Sequence, residues 1–140
     1  MGKTHWTRVI LGGLLAGIIL NILGLAVVEI SLRDFGKPAV GTADPEFQET
    51  IGFWIFSIGS CFIIGILAVW LYSAIRPRYG PGAKTALVAG LAVWIPCGWS
   101  FAAISASFGL FPSGLPVIDV FTFLVILIVA TLAGAWIYKE

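Results

Sequence analysis

Few side chains in this sequence could do chemistry. There is a single histidine, His5, just ahead of the first apolar run, and two cysteines, Cys61 and Cys97. Imidazole is a common axial ligand of haem and pigments, whereas a metal site usually gathers several ligands. His5 has no such company nearby. A solvated histidine near the N-terminus is the ordinary reading, and a single bond to a pigment or haem is its alternative. Cys61 and Cys97 fall at similar depth in their apolar runs and could touch. A quinone-coupled thiol enzyme, however, would need its reactive pair near a loop or membrane surface. Small apolar packing suits these two better. No Ser–His–acid set and no carboxylates paired at helical spacing occur. The expectation is therefore no enzyme, no catalytic or metal-ligating residue and no cofactor.

Polar residues inside apolar runs are the other candidates, because burying them in lipid is costly and usually serves a purpose. Asn21 shares a face with Gly13, Gly17 and Gly24. Gly13 and Gly17, four apart, have the spacing that lets two helix backbones approach, and Asn21 is expected to hydrogen-bond across that approach. Ser57, Cys61 and Gly65 repeat the small-residue spacing further along. Pro96, beside Gly98 and Ser100, is expected to kink its helix and to free a carbonyl near mid-membrane. Transporters bind solutes at such breaks, but packed bundles tolerate them as well. A proton-coupled exporter would carry a carboxylate within a span. The nearest acids here, Glu29 and Asp119, fall at the outer ends of their helices.

The elements that position these residues follow from composition. Of 140 residues, 59% are hydrophobic and 11% charged, with a mean hydropathy of +1.03. A soluble domain carries roughly 25% charged residues, so this surface must face lipid or protein. The net charge of +1 offers no basic excess for nucleic acid. Four apolar runs can each cross a hydrocarbon core, which takes about 20 helical residues. The expected spans are about 7–29, 50–75, 84–107 and 117–138, with Gly109, Pro112, Gly114 and Pro116 separating the last two. Helices are required because an isolated apolar run can satisfy its own backbone in no other way, and the alternating segments of a barrel are absent. The fold class is thus all-α integral membrane: four transmembrane helices as two consecutive hairpins, in one domain spanning 1–140. The first run exceeds the usual 7–15-residue core of a signal peptide, so a retained helix is expected. Trp6 also breaks the myristoylation pattern.

Basic residues set the orientation. Lys3, Arg8, Arg76, Arg78, Lys84 and Lys139 fall on one side, and only Arg33 and Lys37 on the other. Both termini and the middle loop are therefore expected in the cytoplasm. Trp6, Trp70, Tyr72, Tyr79, Trp136 and Tyr138 all fall near the same face, as an aromatic belt would. The second helix ends Ala68-Val69-Trp70-Leu71-Tyr72 and the fourth Gly134-Ala135-Trp136-Ile137-Tyr138. Gly12-Gly13-Leu14 is echoed by Ala89-Gly90-Leu91. Duplication of a hairpin explains this, and so does the tendency of belt-ending helices to look alike.

The most distinctive segment is Ala74-Ile75-Arg76-Pro77-Arg78-Tyr79-Gly80-Pro81-Gly82-Ala83-Lys84-Thr85-Ala86-Leu87. Pro77 is expected to stop the second helix, and Gly80-Pro81-Gly82 to turn the chain before Lys84 opens the third. Arg76, Arg78 and Lys84 would then stand at headgroup depth, each contributing about 1 kcal/mol near anionic lipid, or would contact a partner. This loop, with the closing run Ala130 to Glu140, resembles a family of small, uncharacterised bacterial four-helix inner-membrane proteins. The resemblance covers residues 65 to 140 and fades over Ser31 to Thr50. It implies the bacterial inner membrane as location and the same topology, and it brings no activity.

Two function classes fit. One is an accessory or packing subunit that associates with a larger membrane complex or with copies of itself. The other is a small-solute transporter or channel built on the kinked third helix. Small-residue faces and the lack of reactive groups favour the first.

Overall fold

The structure, a computed structural model, describes residues 5–34, 51–107 and 115–138, in backbone alone at 28–34, 53, 101, 104–107 and 115–119. The expectations for the outer loop over 30–49, the break at Gly109, Pro112 and Gly114, the basic side chains of Lys3, Arg33, Lys37 and Lys139, and the carboxylates of Glu29 and Asp119 lie outside what is described. Four helices follow one another: α1 (Trp6–Asp34), α2 (Ile51–Tyr79), α3 (Ala83–Ser107) and α4 (Leu115–Ile137). Three stretches, Trp6–Val27 in α1, Trp54–Tyr79 in α2 and Val120–Ile137 in α4, are long and apolar enough to cross a membrane. α3 runs for 25 residues and carries Lys84, Thr85, Trp94, Pro96 and Trp99 among its apolar side chains.

Three helix termini differ from expectation for local reasons. α2 does not stop before Pro77 but runs through Arg76-Pro77-Arg78 to Tyr79. Proline removes one helical N–H and crowds the carbonyl four residues back. In the last turn that loss is small, and the Gly80 N–H still donates to the Arg76 carbonyl at 2.8 Å. Gly80 ends the helix instead. Its φ of +82° is a left-handed conformation that β-carbons disfavour, and it is the usual residue just past a helix end. Gly82, at φ +142°, then caps α3, its carbonyl accepting from the Ala86 N–H at 3.2 Å. α1 continues past residue 29 to Asp34, because Leu32 and Arg33 are good helix formers once the apolar run has ended. α4 begins at Leu115, so Pro116 sits in its first turn, where a missing N–H costs no helical bond.

α1 packs on α2 and α4, α3 packs on the same two, and α2 touches α4 across the middle. Neighbours run antiparallel: Gly13 meets Ile66 and Gly17 meets Phe62, while Gly12 meets Gly134 and Leu20 shares a cluster with Leu127. Trp6, the Gly80–Gly82 turn and Tyr138 therefore share one end of the molecule. The distribution of size is inverted relative to a soluble protein, whose large aliphatic and aromatic side chains lie inside. Here the interior is built largely from Ala16, Ala68, Ala86, Ala89, Ala130 and Ala135, with Leu20, Val69 and Leu127 among them. Phe56 and Trp99 stand outward at 76% and 78% exposure. Small residues inside and large apolar ones outside suit a surface that meets hydrocarbon.

Candidate functional site

Two places in the fold gather the residues that the sequence singles out. The first is a seam of glycines between helices. A Cβ added at Gly13 would lie 2.5 Å from the Ile66 Cα, and one at Gly65 would lie 2.6 Å from the Gly17 nitrogen and 2.7 Å from the Gly13 carbonyl oxygen. At Gly17 it would collide with the Phe62 ring and backbone. Side chains of any size are excluded there, so α1 and α2 meet backbone to backbone. Adjacent glycines project about 100° apart on a helix, and Gly12 thus serves a second contact. A Cβ on it would be 2.6 Å from the Gly134 carbonyl oxygen of α4. Spacing alone points to the Gly13 stripe. The Gly12–Gly134 contact escapes it, although the doubled glycine was the available signal.

The remaining members of the seam are placed less centrally. Asn21 is half-buried, and its Nδ2 donates to the Gly17 carbonyl oxygen at 2.9 Å within α1. That corrects the expected bond across helices: a carbonyl one turn back lies within reach of the short side chain, so the amide is satisfied locally. Ser57 is half-buried near the start of α2. Cys61 and Cys97 are free thiols, half-buried, each packed against the central cluster around Leu127. α3 runs as one helix through Pro96, which is exposed. The Ala92 carbonyl loses its usual donor to the proline, yet Ala92 is itself exposed, as is Ser100. None of this lines an interior path.

Trp94 and Trp99, five positions apart on α3, point to different surroundings. The indole of Trp94 lies over Gly98, where a Cβ would be 3.1 Å from Nε1. Its N–H donates to the Val120 carbonyl oxygen of α4 at 2.9 Å, and its ring stacks, tilted, on Phe121 at 6.3 Å. Trp99 faces outward. Gly98 thus makes room for an indole, a role invisible from its place beside Pro96.

The second place is the end that carries the Gly80–Gly82 turn. Tyr72 and Tyr138 meet edge to face at 6.0 Å, and both are buried. They correct the expected aromatic belt, in which only Trp6, Trp70, Tyr79 and Trp136 remain exposed. Tyr72 turns inward because its hydroxyl accepts the Gly82 N–H at 3.4 Å while its ring closes the core. Thr85, fully buried, donates to the Gly80 carbonyl oxygen at 2.7 Å and pins the turn. The Arg76 guanidinium lies 5.5 Å from the centroid of the Tyr138 ring, a favourable placement of cation over aromatic face. Arg78 and Lys84 are exposed. Between the start of α3 and the end of α4 lies a cavity of about 200 Å³. Gly82, Ala83 and Ala86 line one side, Leu132, Ala135 and Trp136 the other, with Tyr72 at the back.

Polar side chains within the helices are satisfied close to home. Ser60 donates to Phe56 O, Ser73 to Trp70 O and Thr131 to Leu127 O. Among the described residues no buried side-chain nitrogen or oxygen lacks a hydrogen-bond partner, and no three of His, Cys, Asp and Glu gather as a metal site would require. No protein-family model matches the chain, and neither a curated protein nor a solved structure matches it.

Proposed function

We propose that this chain is a small helical subunit of the bacterial inner membrane, without catalytic groups. It crosses the bilayer four times as two hairpins, with both termini and the Arg76–Lys84 loop in the cytoplasm, and associates with a larger membrane complex or with copies of itself. The resemblance of the loop Arg76-Pro77-Arg78-Tyr79-Gly80-Pro81-Gly82 to that of small bacterial inner-membrane proteins supports the location. The observation that carries the reading is the interior. Glycine and alanine close the helices onto one another, and the polar groups that a solute would use are taken by the chain's own carbonyls: Asn21 by Gly17, Trp94 by Val120. Asn21, Ser57, Ser100 and Pro96 do not line the cavity at the loop end. A transporter needs those groups joined by a hydrated pocket.

Gentle polymer extraction of native membranes tests the association. The expected result is a particle larger than one chain, of fixed stoichiometry, with the reconstituted protein leaving liposomes tight to small ions and sugars. A monomer that conducts or exchanges solute sinks the proposal in favour of transport. Orientation is tested with cysteines at Ala83 and Thr42 in a chain lacking Cys61 and Cys97. An impermeant maleimide should label position 42 in intact cells and position 83 after lysis alone; the reverse pattern overturns the topology.

A further inference from the structure

The cavity between α3 and α4 plays no part in the packing role above. Its walls are apolar: Ala83 and Ala86 from α3, Leu132 and Ala135 from α4. At about 200 Å³ it falls below the roughly 300–1,000 Å³ in which proteins enclose a whole drug-sized ligand. It therefore suits one part of a molecule whose remainder stays outside. A free inorganic anion is a poor occupant, since the apolar walls offer little to replace its hydration. The rim has a different character. Trp136 borders it at 69% exposure, as an interfacial indole does at headgroup level. Lys84 directly follows Ala83, and Arg78 precedes the turn that carries Gly82; both are exposed, as is Arg8 at the same end. No acidic side chain is among those described, so nothing described there opposes an anion.

An apolar slot too small for a whole ligand, at the end of the molecule where Arg8, Arg78 and Lys84 are exposed, matches an anionic phospholipid. We propose that the cavity holds the glycerol ester region and first methylenes of one such lipid, with its phosphate outside it, toward Arg78 and Lys84 at the same end of the molecule. This rests on the membrane reading above and adds a specific ligand to it. The lipid's remaining chain carbons stay in the bilayer, which accounts for the small volume.

The test is native mass spectrometry of the detergent-extracted full chain, incubated with equal amounts of phosphatidylglycerol and phosphatidylcholine of the same acyl composition. One phosphatidylglycerol per chain should be retained in preference to phosphatidylcholine. Arg78→Gln with Lys84→Gln should reduce that preference by about 25-fold, about fivefold for each cation near an anionic headgroup. Ala83→Leu, at an exposed position lining the slot, should remove the bound lipid, while millimolar inorganic phosphate should leave it in place. Equal retention of both lipids, an undiminished adduct in Ala83→Leu, or displacement by inorganic phosphate overturns the site. Should Ala83→Leu not fold, the double variant at two exposed positions decides alone. Failure of the membrane reading looks different: the chain would be recovered from cells without detergent.

Discussion

The α1/α2 hairpin closes by omission of side chains, whereas the α3/α4 hairpin closes by fitting them. In the first, Cβ atoms at Gly13 and Gly65 would come within 2.5 and 2.6 Å of backbone atoms of the facing helix. In the second, the corresponding glycine, Gly90, has Thr131 Oγ1 as its nearest neighbour at 3.4 Å and the Ile128 Cα at 3.7 Å. That is ordinary contact, and the tie between those helices is the Trp94 indole on the Val120 carbonyl. The registers differ as well. Gly13 meets Ile66, four residues before Trp70, while Gly90 meets Ile128, eight before Trp136. The echo between the hairpins is therefore one of helix ends and not of contacts, offset by one turn. Without water to drive apolar side chains together inside a bilayer, helices can gain attraction by approaching closely or by hydrogen bonding between them, and each hairpin uses a different one.

The comparison can be broken most easily at Gly17. Gly17→Leu places four carbons where the Phe62 ring and backbone already stand. It should cost about 3 kcal/mol or more, at or beyond the upper end of overpacking effects, and should show as loss of a monodisperse extracted species. A variant that melts with the wild type would show that the α1/α2 seam is not needed.

A sharper contrast comes from one methyl group in each hairpin. Gly13→Ala should destabilise by about 1–3 kcal/mol, because the obstacle is the backbone of Ile66 and cannot rotate away. Gly90→Ala should be neutral within about 0.5 kcal/mol or slightly stabilising, since a helix-propensity gain of up to roughly 1 kcal/mol is set against a close but ordinary contact with Thr131 Oγ1 at 3.4 Å. Paired thermal melts in one detergent measure both, and equal shifts would erase the distinction between the hairpins.

A single hydrogen bond is at stake at Trp94. Trp94→Phe keeps an aromatic ring over Gly98 but removes the donor to Val120, costing about 1 kcal/mol. Trp99→Phe, on the exposed face, should leave the melting temperature unchanged. If the two variants behave alike, the α3/α4 hairpin is held by something other than this bond.

The four helices were legible in the sequence because an apolar stretch that cannot pair with water must bond its backbone internally, and each run is long enough to do so. The Gly13/Gly17 spacing and the turn at Gly80–Gly82 were legible for equally local reasons: a missing β-carbon has a fixed consequence wherever it stands. Which face of each helix turns inward was another matter. In a soluble helix the apolar stripe marks the buried side, but α2 is apolar all round, with Ile55 outside and Val69 inside. Periodicity then carries no sign of direction. Tertiary packing alone placed Gly12 against Gly134, turned Tyr72 and Tyr138 into the core and laid Trp94 over Gly98. Each depends on which backbone lies opposite, and a side chain's type sets only the partners it could accept.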